Sequence, residues 1–191
     1  MKHSLTWLFL ILLLNDISVS GQTIKQDAHT DIKMLKQGAL FVRLKTSDLA
    51  INGLRKQGKE KEADEIKTKQ DVENKTIAAA FKSEFTFCPV YFFYSNNSTS
   101  IKEGNCSGVL FDADFKSISA PNCSDFLIGE FDESETTHID AFIMKDKNFN
   151  QLKAPFPYLV KSSGILVPNR KKEDVVRILN QKLNEFWVKN Q

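Results

Sequence analysis

TFCPVYFFY (residues 86–94) is the segment of this 191-residue chain that most strongly favours a strand. Aromatic and β-branched residues are enriched in strands. Apolar residues at both odd and even positions indicate that both faces are covered, as in a central strand packed by helices. Pro89 cannot donate a ladder hydrogen bond, so it belongs near the start of the strand. The segment therefore predicts a sheet with helices on its faces.

The chain before this segment predicts a strand followed by two helices. Residues 22–37 form a polar lead-in with a helical turn at 31–36, and the short apolar run 39–44 is typical of a strand. A short helix then runs to Gly58, a residue that accepts the left-handed geometry of a helix end. Residues 59–85 contain neither Pro nor Gly and predict a long helix with a charged middle. The two helices should form an antiparallel hairpin that protrudes into solvent and permits a parallel, right-handed crossover between the flanking strands.

The second half of the chain predicts short strands and one long helix. Four segments are strand-like and closely spaced, which favours antiparallel pairing: 108–111, 126–131, 138–144 and 155–160. The last helix, 171–187, carries an apolar stripe at helical spacing: Val175, Val176, Leu179, Leu183, Phe186 and Trp187. We therefore predict a single α+β, or mixed α/β, domain. It has one sheet of about five strands, an N-terminal helical hairpin and a C-terminal amphipathic helix packed on the sheet.

Residues 1–21 have the order of a secretory signal peptide. A basic start is followed by the apolar run 5–14 and by the polar, small residues 15–21. A run of this length is too short to span a bilayer, which takes roughly 20 apolar residues. We expect cleavage after Ser20 or Gly21 and a single domain over 22–191, secreted or periplasmic, without a transmembrane segment.

The composition is that of a globular protein, with 41% hydrophobic and 26% charged residues. The net charge of +2 conceals two opposite blocks. Residues 111–140 hold eight acidic side chains and one lysine, whereas residues 145–191 hold ten basic and four acidic side chains. Such blocks are expected to neutralise each other across a folded surface. Export and the acidic residues within the basic block argue against a nucleic-acid partner.

Three cysteines lie in the predicted mature chain, at positions 88, 106 and 123. Cys106 and Cys123 occur in the near-identical settings Asn-Cys-Ser, and an oxidising compartment would permit a disulfide between them. Cys88 lies in an apolar run and is interpreted as a buried small hydrophobe. One alternative is a catalytic thiol with His29 or His138 as its base. Another is a thiol redox protein, which would need Cys88 exposed at a strand end.

The segment 130–140 concentrates groups that could carry chemistry: Glu130, Asp132, Glu133, Glu135, His138 and Asp140. Carboxylates and an imidazole could bind a metal or hydrolyse a substrate, but their spacing matches no known ligand pattern. We interpret the segment as a solvated acidic hairpin and expect no metal. The chain has no glycine-rich phosphate motif, so no cofactor is expected.

Two further features concern the surface. Tyr94 stands at a strand end beside a polar loop, where binding residues commonly lie. Five asparagines begin Asn-x-Ser/Thr glycan acceptor sequences, namely Asn74, Asn96, Asn97, Asn105 and Asn122. They matter only in a host that glycosylates secreted proteins.

Three segments carry a resemblance: GALFVRLK (38–45), FTFCPVYF (85–92) and PFPY (155–158). Together with the export-type start, they resemble uncharacterised secreted proteins from Bacteroidota bacteria. The resemblance implies a periplasmic or outer-membrane-facing location. It implies no activity and assigns no functional residues.

Three functional hypotheses follow from the sequence. The first is a non-catalytic exported module that binds a protein or a small ligand. The second is a small metal-dependent or hydrolytic enzyme that uses the acidic segment around His138. The third is a thiol redox protein acting through Cys88. The candidate site residues are therefore Tyr94, His138 and Cys88.

Overall fold

The structure is a computed structural model that describes residues 26–118, 123–135, 138–163 and 169–191. The predicted signal peptide, residues 1–21, and the glycan acceptor Asn122 lie outside the described residues. Among the helices of the described part of the chain, none is both long and apolar enough to cross a membrane.

One five-stranded sheet organises the domain, as predicted. Its strands are β1 (Ala39–Leu44), β2 (Val90–Tyr94), β3 (Phe126–Glu133), β4 (Asp140–Lys145) and β5 (Leu159–Lys161). The order across the sheet is β2-β1-β3-β4-β5. β1 pairs in parallel with both β2 and β3, whereas β4 is antiparallel to β3 and β5 is antiparallel to β4. This mixed sheet confirms the α+β prediction.

Within the described residues, five α-helices flank the sheet: α1 (26–37), α2 (Asp48–Lys56), α3 (Glu60–Glu84), α4 (Ser98–Lys102) and α5 (Lys172–Lys189). A short 3-10 helix, Ser95–Asn97, precedes α4. α2 and α3 form the predicted hairpin, and Gly58 lies between them with a positive φ of 72°. The residues of α3 between Glu60 and Glu73 are largely exposed, with Ala63 the buried exception. The α2–α3 hairpin therefore protrudes as the charge pattern predicted.

Two apolar clusters cover the two faces of the sheet. The larger one joins alternate residues of β1, such as Leu40 and Val42, to apolar side chains of α1, α3 and α5. The smaller one joins the other β1 face, including Phe41, to Ile101 of α4 and to Cys106. The period-2 alternation of a strand divides β1 between the two clusters.

The prediction that residues 86–94 form a central strand is wrong. β2 begins at Val90 and is the edge strand beside β1. Its aromatic residues are nevertheless buried on both faces, because Phe92 packs against Phe81 of α3 while Phe93 joins the smaller cluster. Phe111 closes the outer edge through two backbone hydrogen bonds with Phe92. The predicted strand over 108–111 is reduced to isolated bridges of Phe111 with Phe92 and with Ser117.

Helix α1 replaces the predicted polar lead-in. It buries Ala28, Ile32 and Leu35, which recur at helical spacing and belong to the larger cluster. Gly38 joins α1 to β1, and the carbonyl oxygen of Asp125 approaches so closely that a Cβ atom at Gly38 would lie 1.9 Å from it. Only glycine fits this junction.

The ionised Asp31 side chain of α1 is predicted to make the protein less stable at neutral pH than at about pH 4. Burial, followed by the nearby carboxylates of Asp27 and Asp146, raises its pKa from 3.8 to about 6. Above the folded-state pKa the charged carboxylate is disfavoured, so the free energy of unfolding should fall as the pH rises from about 4 to about 7. We expect Asp31→Asn to stabilise the protein at pH 7 by about 1 kcal/mol, a value discounted because the group is half exposed.

Urea unfolding of both forms at pH 4 and pH 7 measures this effect. The matched control is Asp27→Asn, which changes an exposed acid on the same helix and should give a smaller gain. An Asp31→Asn variant that keeps the wild-type pH dependence would contradict the prediction.

Candidate functional site

A polar cleft lies at the carboxyl ends of β1 and β3. The chain leaves β1 toward β2 on one side and leaves β3 toward β4 on the other, so the connections diverge between these two strands. In open α/β sheets, ligands bind at such a switch point. The cleft has a volume of about 660 Å³, and its lining includes Lys45, Asn74, Phe131, Asp140, Ser163 and Arg170. We call it the carboxyl-edge cleft.

A hydrogen-bond relay fixes the turn from β1 to α2, which borders the cleft. Asn74 of α3 is 3% exposed and donates its amide to the carbonyl oxygen of Lys45 at 2.9 Å. Gln70 donates to Asn74 at 3.3 Å and accepts from the Ser47 hydroxyl at 2.8 Å. Ser47 itself has a positive φ of 55°. Since a satisfied buried polar network is rigid, this border of the cleft is preformed.

The same relay bears on the glycan acceptors. The amide nitrogen of Asn74 is buried and already donates to the backbone, so the folded chain cannot present it to a glycosylating enzyme. Asn96 and Asn105 are exposed.

Two ion pairs join the elements around the cleft. Lys45 at the end of β1 pairs with Asp132 of β3 at 2.9 Å. Lys172 at the start of α5 pairs with Glu73 of α3 at 2.7 Å, and its Nζ lies 4.0 Å from the centroid of the Phe131 ring. Exposed pairs add little stability, but these two link β1 to β3 and α3 to α5. They hold the walls of the cleft in register.

A buried charge cluster lies next to the cleft, on the sheet face that carries the smaller apolar cluster, and its Arg43 also lines the cleft. Glu130 of β3 has a side chain that is 3% exposed, and it pairs with Arg43 at 2.5 Å and with Lys145 at 2.7 Å. Arg43 also donates to the Ser98 hydroxyl at 2.9 Å. Three adjacent strands, β1, β3 and β4, are thus joined by one carboxylate.

The acidic segment around His138 is divided between different places. The side chain of His138 is 78% exposed, and its Nδ1 lies 2.8 Å from Glu133 at the β3–β4 hairpin. Glu133 and Asp140 line the carboxyl-edge cleft, whereas Glu130 is buried between Arg43 and Lys145. Within the described part of the chain, no three His, Cys, Asp or Glu side chains are grouped to hold a metal ion.

Cys88 lies just before β2, at the sheet edge opposite the carboxyl-edge cleft. Burial raises the pKa of its thiol to about 12. Because the thiolate is the reactive form, this cysteine is protonated and unreactive at neutral pH. Cys106 and Cys123 have sulfur atoms 2.28 Å apart, so they form the pair that the sequence predicted.

Tyr94 lies at the carboxyl end of β2 with its ring centroid 4.9 Å from that of Phe111. Burial, followed by the charge of Asp71, raises the pKa of its hydroxyl. It lines a second, smaller depression of about 260 Å³ under the α2–α3 hairpin. Gln70 and Asn74 border both this depression and the carboxyl-edge cleft, so Tyr94 is on the far side of the relay.

Sequence reasoning missed most of the cleft. One signal was present: Asn74 precedes Ile77, Ala78 and Phe81 at helical spacing, so a polar side chain stands in the buried stripe of α3. Arg170 and Lys172 gave no comparable signal, because they look like ordinary members of a basic block.

No known protein family, curated protein or solved structure matches this chain.

Proposed function

We propose that this protein is an exported, non-catalytic binding module that holds a small polar ligand in the carboxyl-edge cleft. The observation that carries the proposal is the position of this cleft at the switch point between β1 and β3, where open sheets bind ligands. The signal-like residues 1–21 and the Cys106–Cys123 pair support export, since disulfides persist in oxidising compartments.

The cleft is suited to binding because its borders are preformed. The relay from Ser47 to Lys45 and the Lys172–Glu73 pair fix two of its sides without a ligand. A preformed site avoids the cost of ordering side chains when the ligand arrives. Its lining of charged, amide and hydroxyl groups around Phe131 favours a polar ligand over an apolar one.

The groups that could support catalysis are separated. His138 is exposed at a hairpin and contacts Glu133, while Cys88 lies at the opposite sheet edge with a raised pKa. A general base or nucleophile must lie within hydrogen-bond reach of its reaction partner. This separation is why we favour binding over the hydrolase and thiol redox hypotheses.

Thermal unfolding of the mature chain with a panel of amino acids, dipeptides, monosaccharides, nucleotides and carboxylic acids tests the proposal. A ligand at about 100 times its Kd stabilises a protein by about 2.7 kcal/mol. For a domain of this size we expect the matching class to raise the Tm by about 5–10 °C.

A variant that blocks the cleft tests whether the ligand binds there or elsewhere on the protein. Asn169→Trp adds a large ring to the lining and should abolish the rise in Tm. Asn148→Trp, an exposed position beside Phe149 on the other face, is the matched control and should keep it. A panel without any effect, or an Asn169→Trp variant that responds like the wild type, would rule the proposal out.

A further inference from the structure

The charges of the carboxyl-edge cleft balance. Four basic side chains and four acidic side chains line it. Three pairs of opposite charge involve this set: Lys45 with Asp132, Lys172 with Glu73, and Arg43 with Glu130. Glu133 contacts the His138 imidazole, a contact that is an ion pair when the imidazole is protonated. Among the described residues, only Asp140 and Arg170 of this set have no ionisable side chain within ion-pair distance. A ligand that contacts both residues would therefore meet one negative and one positive group.

Asp140 and Arg170 are both fixed by the chain that leaves β5. The carbonyl oxygen of Asp140 accepts the N–H of Ser162 at 2.9 Å, and its Oδ2 lies 3.2 Å from the donating hydroxyl of Ser163. Arg170 donates its backbone N–H to Ser162 at 2.9 Å and its Nη1 to the carbonyl oxygen of Lys161 at 2.7 Å. Both side chains are thus anchored to one short segment.

These contacts leave binding capacity unused. The second carboxylate oxygen of Asp140 and the remaining guanidinium N–H groups of Arg170 have no hydrogen-bond partner among the described residues. A guanidinium matches a carboxylate with two parallel hydrogen bonds, and a carboxylate accepts well from an ammonium. The two groups are therefore complementary to opposite ends of one molecule.

We propose that the ligand is a zwitterion with an ammonium and a carboxylate, the chemistry shared by free amino acids and short peptides. This inference rests on the proposed function and names its ligand class. Asp140 binds the ammonium and Arg170 binds the carboxylate. A purely anionic ligand would leave Asp140 without a partner of opposite charge, and a purely cationic ligand would leave Arg170 without one.

Calorimetric titration of the mature chain with four probes tests the inference. Alanine and dialanine carry both charges, N-acetylalanine lacks the ammonium, and alaninamide lacks the carboxylate. We expect alanine or dialanine to bind at least about tenfold more tightly than either blocked probe, since each lost charged hydrogen bond weakens binding by that factor or more. The comparison of alanine with dialanine separates the amino acid from the peptide.

Two variants assign the charges to residues. Asp140→Asn should remove the preference over N-acetylalanine and keep the preference over alaninamide. Arg170→Gln should do the reverse, and Arg170→Lys should restore part of the carboxylate preference. A role in folding alone would weaken all four probes equally, so the crossed pattern is specific to direct binding.

The outcomes separate this inference from the proposed function. If another class of the panel binds in the cleft and the zwitterions do not, the inference is overturned while the binding module stands. If no class binds, both are overturned. The four probes on the wild-type chain decide the matter even where a variant is unstable.

Discussion

Replacing Glu130 with alanine is expected to lower the free energy of unfolding by about 3–5 kcal/mol. The Glu130 carboxylate is buried between Arg43 and Lys145, which approach it to 2.5 and 2.7 Å. Removing it leaves two like charges facing each other inside the sheet with nothing to offset their desolvation. Urea unfolding at neutral pH, followed by circular dichroism, measures the loss.

The control for Glu130 is Asp132, two residues further along β3 on the same face. Its pair with Lys45 is largely exposed, so Asp132→Ala should change the free energy of unfolding by less than about 1 kcal/mol. The combined variant Arg43→Met, Glu130→Leu, Lys145→Met removes every charge and should recover most of the loss, because apolar replacements of buried ion clusters are often neutral. Equal losses for Glu130→Ala and Asp132→Ala would contradict the buried-charge argument.

The elements that the sequence predicted are those set by local rules. β1 spans the predicted residues, and α3 differs from the prediction by one residue at each end. The high strand propensity of residues 39–44 predicted β1, and the absence of Gly and Pro over residues 59–85 predicted α3. Gly58 lies in the turn that ends α2 as expected, because a positive φ there costs glycine little.

The wrong predictions concern how elements that are distant in sequence pack against one another. The sequence of a strand that is buried on both faces resembles that of a central strand, yet β2 is an edge strand. Its two faces are buried by α3 and by the smaller cluster, and Phe111 pairs with its outer edge. Helix α1 was missed because three small or branched apolar residues in a polar segment form a weak stripe, and only packing on the larger cluster stabilises it. Both outcomes depend on contacts between distant parts of the chain.

In the carboxyl-edge cleft, too, local signals were visible in the sequence and long-range contacts were not. Asn74 could have been found, since a polar residue inside an apolar helical stripe is unusual. Glu130 and His138 are eight positions apart in sequence, yet Glu130 is buried against Arg43 on the sheet while His138 is exposed at the hairpin and contacts Glu133. A cluster of acidic residues in sequence is therefore not a cluster in space, and Arg170 enters the cleft only because the chain after β5 returns to Asp140.

Replacing Phe142 with alanine is expected to lower the free energy of unfolding by about 3–5 kcal/mol. Its ring is fully buried in the larger cluster and lies 5.3 Å from the ring of Phe81 and 5.1 Å from that of Phe131. It also crosses over Gly129 of the neighbouring strand, where a Cβ atom would lie 2.2 Å from the Phe142 ring. Thermal and urea unfolding of the variant measure the loss.

Substitutions at Gly129 test whether the shape of the Phe142 ring matters, apart from the apolar area that Phe142→Ala removes. Gly129→Ala should itself cost about 1–3 kcal/mol, because the ring of Phe142 is held by its aromatic neighbours and cannot move aside freely. In the Phe142→Ala background the added methyl group enters vacated space, so the double variant should lose less than the two single losses together, by about 1 kcal/mol or more. The same substitution at Gly53 of α2, where no atom lies within 4 Å of the new Cβ, should stabilise the protein by about 0.4–1 kcal/mol. Additive losses at Gly129 and Phe142 would show that the ring does not occupy the space above the glycine.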